Sequence, residues 1–324
     1  MLVVYIVLGI FLGGIFLAFL LAHLIHHTIF GKRWDPDGIT KYYSFPELKA
    51  KPIQISTKKG TLQGNLYSYP GKLNRGILVF AHGMWGSHKA YMQEIEFLAE
   101  EGYQVLGFDY YGTELSEGKN IRGLGNSLLS LDVAISYMKK TFPKEAIYVM
   151  GHSWGGFAAL GIAKFHPDLK KIVAMSPFIT ESKIFRHLLP KLCYPLIPFI
   201  VLIDAIHCGK YSFVNARKVL KKTQVNTYIL HSLDDPMVPY KISTEFLQKT
   251  IKNPNLQYEI VNGKRHNPDY TLEALMYTQN AFAELKSISN PEQKAEYRRN
   301  MDYHRMGEID RNISSKIVEF LKKE

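Results

Sequence analysis

Residues 2–22 form an apolar run interrupted only by Gly9, Gly13 and Gly14. About twenty apolar residues are enough to cross a bilayer as a helix, so residues 1–25 are expected to be a transmembrane anchor. A cleaved leader would carry positive charge ahead of its apolar core and a small-x-small site after it. Neither pattern occurs around residues 2–22, and the expectation is an anchor that stays on the chain. His23, His26 and His27 follow the run. Three histidines invite a metal reading, but polar residues ending a span at the membrane interface are the commoner cause. Lys32, Arg33 and then lysines at 41, 49, 51, 58 and 59 come after the span. The positive-inside rule then puts the domain that follows on the cytoplasmic side of a cell membrane.

Residues 26–51, with Pro36, Gly38 and Pro46, are expected to be a linker, and residues 52–324 a folded domain. Residues 52–57 and 61–69 alternate in polarity, which predicts an antiparallel hairpin turning at Lys59-Gly60. Residues 76–81, 103–109, 146–150 and 171–175 are continuous apolar runs, the pattern of strands covered on both faces. Helical patterns lie between them at 91–101, 124–141 and 154–165. Strand and helix in alternation predict a parallel sheet with right-handed crossovers. The rhythm stops at Ser176-Pro177. Residues 178–222 are rich in Leu, Ile, Phe and Pro, and Pro190, Pro195 and Pro198 cut them into short pieces, as a cap over the sheet edge requires. Packing helices are the plainer alternative, because buried helices are apolar too. The rhythm resumes with strands at 226–230 and 257–261, a helix at 240–250 and a last helix ending at 317–321. A charged helical addition, residues 269–310, precedes that helix.

Composition changes this picture little. The 324 residues are 46% hydrophobic and 21% charged, which excludes global disorder. The net charge of +11 is not gathered into Lys/Arg blocks interleaved with aromatics. No nucleic acid is therefore expected as a partner, and an anionic membrane surface fits the excess better. Cys193 and Cys208 are too few for a disulfide framework and lack metal-ligand spacing.

The chemistry concentrates in Gly151-His152-Ser153-Trp154-Gly155, which ends a predicted strand and opens a predicted helix. In that setting the chain reverses sharply at the serine and lifts its hydroxyl above the sheet edge, and only glycine leaves room two residues away on either side. Three further segments end predicted strands. His82-Gly83-Met84 can pass a loop close to a reacting carbonyl, so that the backbone N–H groups of Met84 and Trp154 stabilise an oxyanion. The alternative is that His82 is itself the base. Asp234-Asp235 offers a carboxylate to orient an imidazole, with Asp235, followed by Pro-Met-Val-Pro, preferred over Asp234. His266 lies on the polar loop Asn262-Gly263-Lys264-Arg265-His266-Asn267 rather than in an apolar stripe. The chain order Ser153, Asp235, His266 is nucleophile, acid, base.

These segments, together with Asp109-Tyr110-Tyr111-Gly112, resemble the α/β-hydrolase superfamily, in particular its serine-hydrolase branch with monoacylglycerol lipase-like and serine aminopeptidase-like members. The resemblance runs from about residue 52 to the C-terminus. It implies an α/β fold, a mostly parallel eight-stranded sheet with helices on both faces and a cap insertion after strand six. It also implies two-step acyl transfer by Ser153, Asp235 and His266 on an ester, thioester or amide, with no cofactor or metal. The branch commonly shows Asp-x-Arg-Gly-x-Gly-x-Ser after its fourth strand; here Tyr111 stands for the arginine and Glu114 for the second glycine. The leading expectation is a membrane-anchored serine hydrolase, carboxylesterase- or lipase-like, whose substrate is a small acyl ester or lipid held by the inner face of the cap. An exopeptidase or amidase, and a non-catalytic membrane-tethered scaffold, are the competing readings.

Overall fold

The computed structural model describes residues 1–34 and 45–323. Eight strands run β1 (Lys49–Thr57), β2 (Gly60–Ser68), β3 (Ile77–Ala81), β4 (Gln104–Phe108), β5 (Ile147–His152), β6 (Lys171–Met175), β7 (Asn226–Ser232) and β8 (Leu256–Val261). They form one sheet in the order β1-β2-β4-β3-β5-β6-β7-β8. The β1–β2 and β2–β4 pairs are antiparallel and every later pair is parallel. The expected mostly parallel eight-stranded sheet is thus present, and the hairpin turns where it was predicted, with Thr57 opposite Gly60.

Twelve α-helices accompany the sheet among the described residues. They are α1 (Leu2–Phe30), α2 (Met92–Glu100), α3 (Gly125–Thr141), α4 (Trp154–Ile162), α5 (Glu181–Leu188) and α6 (Ile197–Cys208). The rest are α7 (Ala216–Leu220), α8 (Thr244–Thr250), α9 (Leu272–Ser287), α10 (Pro291–Asn300), α11 (Tyr303–Met306) and α12 (Arg311–Lys322). Strand side chains alternate between the faces. Val79, Ala81 and Val149 pack against Leu128, Phe157 and Ala158 of α3 and α4. Leu78, Phe80 and Met150 face Leu98 of α2 and Ile317 and Phe320 of α12. Both faces are therefore covered, which is why these strands read as unbroken apolar runs.

Helix α1 continues to Phe30 and β1 begins at Lys49; residues 35–44 of the expected linker lie outside the described residues. Every residue of α1 from Leu2 to Leu17 is exposed. Ala22, His26 and Phe30, one face of the helix at a spacing of four, are buried. Phe30 meets Phe185 of α5 edge-on, and His26 stacks on His207 of α6. The segment leaving α1 is fastened to the loop after β4. Trp34 N–H donates to Gly112 O (2.9 Å), and the Arg33 guanidinium donates to Ser116 O and Gly118 O (2.8 and 3.1 Å).

The insertion after β6 holds α5, a 3-10 turn at Lys191–Leu196 containing Pro195, then α6 and α7. Thr180 caps α5 and Asn215 caps α7 through their side-chain oxygens. Ile197, Ile200 and Ile203 bury the inner face of α6. The later addition holds α9, α10 and α11 and rejoins the domain through a bridge between Tyr270 and Ile309.

Candidate active site

At the end of β5 the backbone of Ser153 is forced to φ 57°, ψ −109°, where an L-residue is strained, and α4 starts at the next residue. Ser153 N–H donates to Met175 O of β6 at 2.8 Å, which holds the turn against the neighbouring strand. The two glycines are needed sterically. A Cβ on Gly151 would collide with Gly155 O, and one on Gly155 would collide with Ala81 O. That second contact also shows how closely the end of β3 passes over the serine turn, and the loop His82-Gly83-Met84 follows directly. Trp154 is the first residue of α4, so its backbone N–H has no acceptor within the helix.

The structure brings Ser153, His266 and Asp235 together. His266 Nε2 lies 2.9 Å from Ser153 Oγ, and His266 Nδ1 lies 2.8 and 3.0 Å from the two oxygens of Asp235. Asp235 has a fully buried carboxylate. Burial by itself would raise its pKa. Hydrogen bonds from His231 and His266, the charge of His266 and the N–H of Val238 outweigh burial and hold the carboxyl well below the usual carboxylate value. Met237 and Val238 N–H both donate to Oδ1 at 2.9 Å. His231 Nε2 stands 3.2 Å from Oδ2, and its Nδ1 is fixed by Thr244 at 2.7 Å. Asp234 takes another job: it accepts from Ser232 (2.5 Å) and Arg265 N–H (3.2 Å), bracing the loop that carries His266.

His82 does not reach the serine. It is buried, stacks on Tyr110 at 3.9 Å, and bonds Gly83 O through Nδ1 at 2.7 Å. Burial lowers its pKa to about 4, so it is neutral and shapes the loop. The reading of His82 as the base is therefore set aside. Tyr111, in the place of the branch's arginine, bonds Thr57 at 2.8 Å and lies beneath the Arg122 guanidinium.

Two residues that the sequence did not single out tie these loops together. The Tyr91 hydroxyl accepts Gly83 N–H (3.0 Å) and meets His152 Nδ1 (2.8 Å), while His152 Nε2 meets His266 O (2.8 Å). With Nε2 as the donor to that carbonyl, Nδ1 accepts from Tyr91. Burial, helped by the nearby His266 charge, lowers the His152 pKa to about 3 and keeps this neutral tautomer in place. The chain Gly83–Tyr91–His152–His266 thus fixes the loop after β3 relative to the loop that carries His266. The only sequence signal was a histidine, His152, inside the glycine–serine motif.

A second brace enters from the cap. The Asp204 carboxylate of α6 accepts Leu124 N–H (2.5 Å), Gly125 N–H (3.2 Å) and the Ser212 hydroxyl, so it caps the start of α3. Leu124 O in turn accepts the Trp154 indole N–H at 2.6 Å.

A cavity of about 340 Å³ is lined by Asn267, the residue after His266, while Ser153 and His266 themselves are not among its lining residues. Its walls are Trp34, Trp85 and Asn267 on one side and Phe282, Leu285, Arg298, Met301 and Met306 of the addition on the other. No residue of 178–222 lines it, although that insertion was expected to supply the acyl pocket. The addition supplies much of this cavity's wall despite its charged sequence, because its few apolar residues converge there.

A family model described as "Serine aminopeptidase, S33" matches residues 72–202. Lysophosphatidylserine lipase of Danio rerio is 24% identical over 193 residues, 56% of this chain and 48% of that protein. Proline iminopeptidase of Clostridium botulinum is 27% identical over 114 residues, 35% of this chain and 39% of that protein. The chain thus spans about half or less of the length of these curated relatives. Among solved structures, an esterase of Pyrococcus furiosus matches 85% of this chain and 92% of its own with a TM-score of 0.57 at 22% identity, a likeness of fold. The chain has the fold of the α/β-hydrolase superfamily, and its residues 72–202 match a serine-hydrolase family model of that superfamily. Its homologues there are serine hydrolases: esterases, lipases and peptidases.

Proposed function

We propose that this protein is a membrane-tethered serine hydrolase that cleaves the ester bond of an acyl, lipid-like substrate, with α1 as the tether and the catalytic domain on the cytoplasmic face. The observation that carries the chemistry is the 2.9 Å contact of His266 Nε2 with Ser153 Oγ, with Asp235 behind the imidazole. In this reading Ser153 Oγ attacks the carbonyl carbon and His266 takes its proton. The oxyanion is held by the N–H groups of Met84 and Trp154. The tetrahedral adduct expels the alcohol, which receives the proton from His266, and leaves an acyl-enzyme. Water, deprotonated by His266, then releases the acid and restores the serine. The buried, ionised Asp235 stabilises the imidazolium at both stages.

The cavity favours an ester of an acyl chain over a peptide. Aromatic rings and the side chains of Leu285, Met301 and Met306 dominate its walls, and the charged residue there is Arg298. An aminopeptidase must hold a substrate ammonium, yet no carboxylate is among the described residues lining the cavity. The lipase relative agrees with an ester; the peptidase reading keeps the support of the iminopeptidase relative and the matched family model. The tether reading rests on α1, which is apolar throughout residues 2–22 and exposed from Leu2 to Leu17.

The test is a fluorophosphonate label on the purified full chain, followed by a panel of acetyl to long-acyl esters and aminoacyl amides. Labelling lost in Ser153→Ala and ester turnover rising with chain length are the expected results. Turnover of amides with none of esters would replace this reading with the peptidase one.

A further inference from the structure

Helix α1 does not stand clear of the domain along its whole length. Residues 2–17 are free on all sides, whereas from Ala18 onward the helix runs against the domain, with Ala22, His26 and Phe30 buried. At 1.5 Å per residue the sixteen free residues reach about 24 Å. The hydrocarbon core of a bilayer is about 30 Å thick. If α1 is a span, as proposed above, about four more residues must lie in hydrocarbon, which brings the boundary to about Ala22. That stretch is already packed along the cap: α1 touches both α6 and the turn Lys191–Leu196. The attachment is firm, since His26 stacks on His207 and Arg33 and Trp34 are bonded to the loop after β4. The domain cannot be held away from the membrane on a free tether without breaking these contacts.

The outward face of the cap has the composition for such a position. Leu192 is 90% exposed, Ile206 68% and Leu202 49%. Leu202 and Ile206 are four residues apart on α6, opposite the buried Ile200 and Ile203. Exposed apolar groups gathered in this way on a soluble surface mark a contact with protein or membrane. Cations gather one step deeper. Lys59 Nζ reaches His207 O at the end of α6, and the Arg122 guanidinium bonds Lys59 O at 2.6 Å. His26 lies four residues beyond Ala22, about 6 Å along the helix, at the depth where headgroup phosphates follow the hydrocarbon boundary.

We propose that the outer face of the cap, with Leu192, Leu202 and Ile206, is seated in the bilayer surface beside α1, and that Lys59 and Arg122 meet anionic headgroups there. The inference rests on α1 being a span and adds that the domain is embedded at a fixed depth.

The experiment uses the full chain with Cys193→Ser, reconstituted in phosphatidylcholine vesicles containing one-fifth phosphatidylserine. Single cysteines are introduced as Leu192→Cys, Leu202→Cys, Leu12→Cys and Lys252→Cys, each labelled with a polarity-sensitive nitrobenzoxadiazole dye. Emission at 192 and 202 is expected to rise several-fold over detergent-free buffer controls and to be quenched by shallow nitroxide lipids. Position 12 should be quenched by deep nitroxides, and position 252 by neither. Lipid quenching at 12 with water-like emission at 192 and 202 overturns the seated cap and leaves the tether standing. Water-like emission at 12 as well overturns the tether and the seated cap together. Protection at 192 and 202 that follows protein concentration and ignores nitroxide lipids assigns the face to a second copy, and the proposal fails.

Discussion

The cap and the later addition both interrupt the strand–helix rhythm, yet they do opposite things with their apolar residues. The cap is the more apolar, and it spends that character outward and sideways: Ile197, Ile200 and Ile203 on the core, Leu192 and Ile206 in the open. The addition is charged, and α10 has no buried residue, but Leu285 and Met301 are buried and, with Met306 and the half-exposed Phe282, wall the cavity that Asn267 also lines. How many apolar residues a segment carries therefore does not say which one holds an acyl chain. What matters is where its few apolar side chains converge.

The largest expected effect comes from removing Ser153 or His266 itself. Ser153→Ala and His266→Ala should each lower kcat by about four to six orders of magnitude, and the double variant should lose little more, because the group acts as a unit. Steady-state ester hydrolysis measures this. Asp235→Asn should fall nearly as far, and an active Asp235→Asn beside a dead Asp234→Asn would transfer the acid's role.

Acyl-chain preference tests the comparison itself. Leu285→Ala or Met301→Ala, both buried in that wall, should cost about tenfold or more in kcat/KM on long-acyl esters, on the scale of about 1.5–3 kcal/mol for a large buried apolar side chain. Acetyl ester turnover should move less than about twofold, since that substrate leaves the wall untouched. Leu196→Ser and Phe199→Ser in the cap should leave the chain-length profile unchanged. The reverse pattern would return the acyl pocket to the cap.

The addition also buries an acid, and pH tests its effect on stability. Burial raises Asp269, at the start of the addition, to about 7; burial and then the charge of Asp269 raise Glu94 beside it. An acid whose folded pKa lies above its unfolded value gives its full stability below the unfolded value and loses it as pH rises through the folded one. From about pH 4, the free aspartate range, to pH 7 and beyond, this pair should therefore make the protein progressively less stable. Asp269→Asn should flatten that slope, so its Tm relative to the wild type should be several degrees higher at pH 8 than at pH 5. Melting curves at the two values decide it; an unchanged slope would mean the pair is already ionised at pH 5.

The smallest effect concerns the cap's hold on the scaffold. Asp204→Ala leaves Leu124 and Gly125 N–H without their acceptor, and a lost helix cap costs about 1 to 2 kcal/mol. Tm should fall by a few degrees, whereas Lys218→Ala, on the exposed side of α7, should not move it.

Much of this was legible in the chain because each signal is local. Buried parallel strands write unbroken apolar runs, and the sheet follows from their alternation with helices. Ser153, Asp235 and His266 each end a strand, so the fold's own rule about carboxyl ends drew them to one edge. The rest depended on contacts between distant segments. Tyr91 sits sixty-one residues from His152, and nothing in either neighbourhood announces a hydrogen bond. Asp204 was visible as a lone acid in an apolar helix, but its partners, Leu124 and Gly125, lie about eighty residues away. The cavity was missed because its wall is made from side chains spaced irregularly over three helices, a pattern with no period to detect.

The carboxylate of Asp204 has a consequence for inheritance. A side chain at Gly123, where φ is 148°, would drive its Cβ into Asp204 Oδ2. With glycine at 123, where φ alone already disfavours a side chain, the Asp204 carboxylate can sit against the turn; a side chain there would meet both obstacles. A cap of this type cannot be exchanged between relatives as a loose cassette. Recombination at residues 178 and 222 would import an acid that the recipient's turn rejects, or strip a donor turn of the acceptor it was shaped to meet. A chimaera that sets this cap on a turn without glycine at the position of Gly123 should melt at a lower temperature than one in which both pieces cross over together.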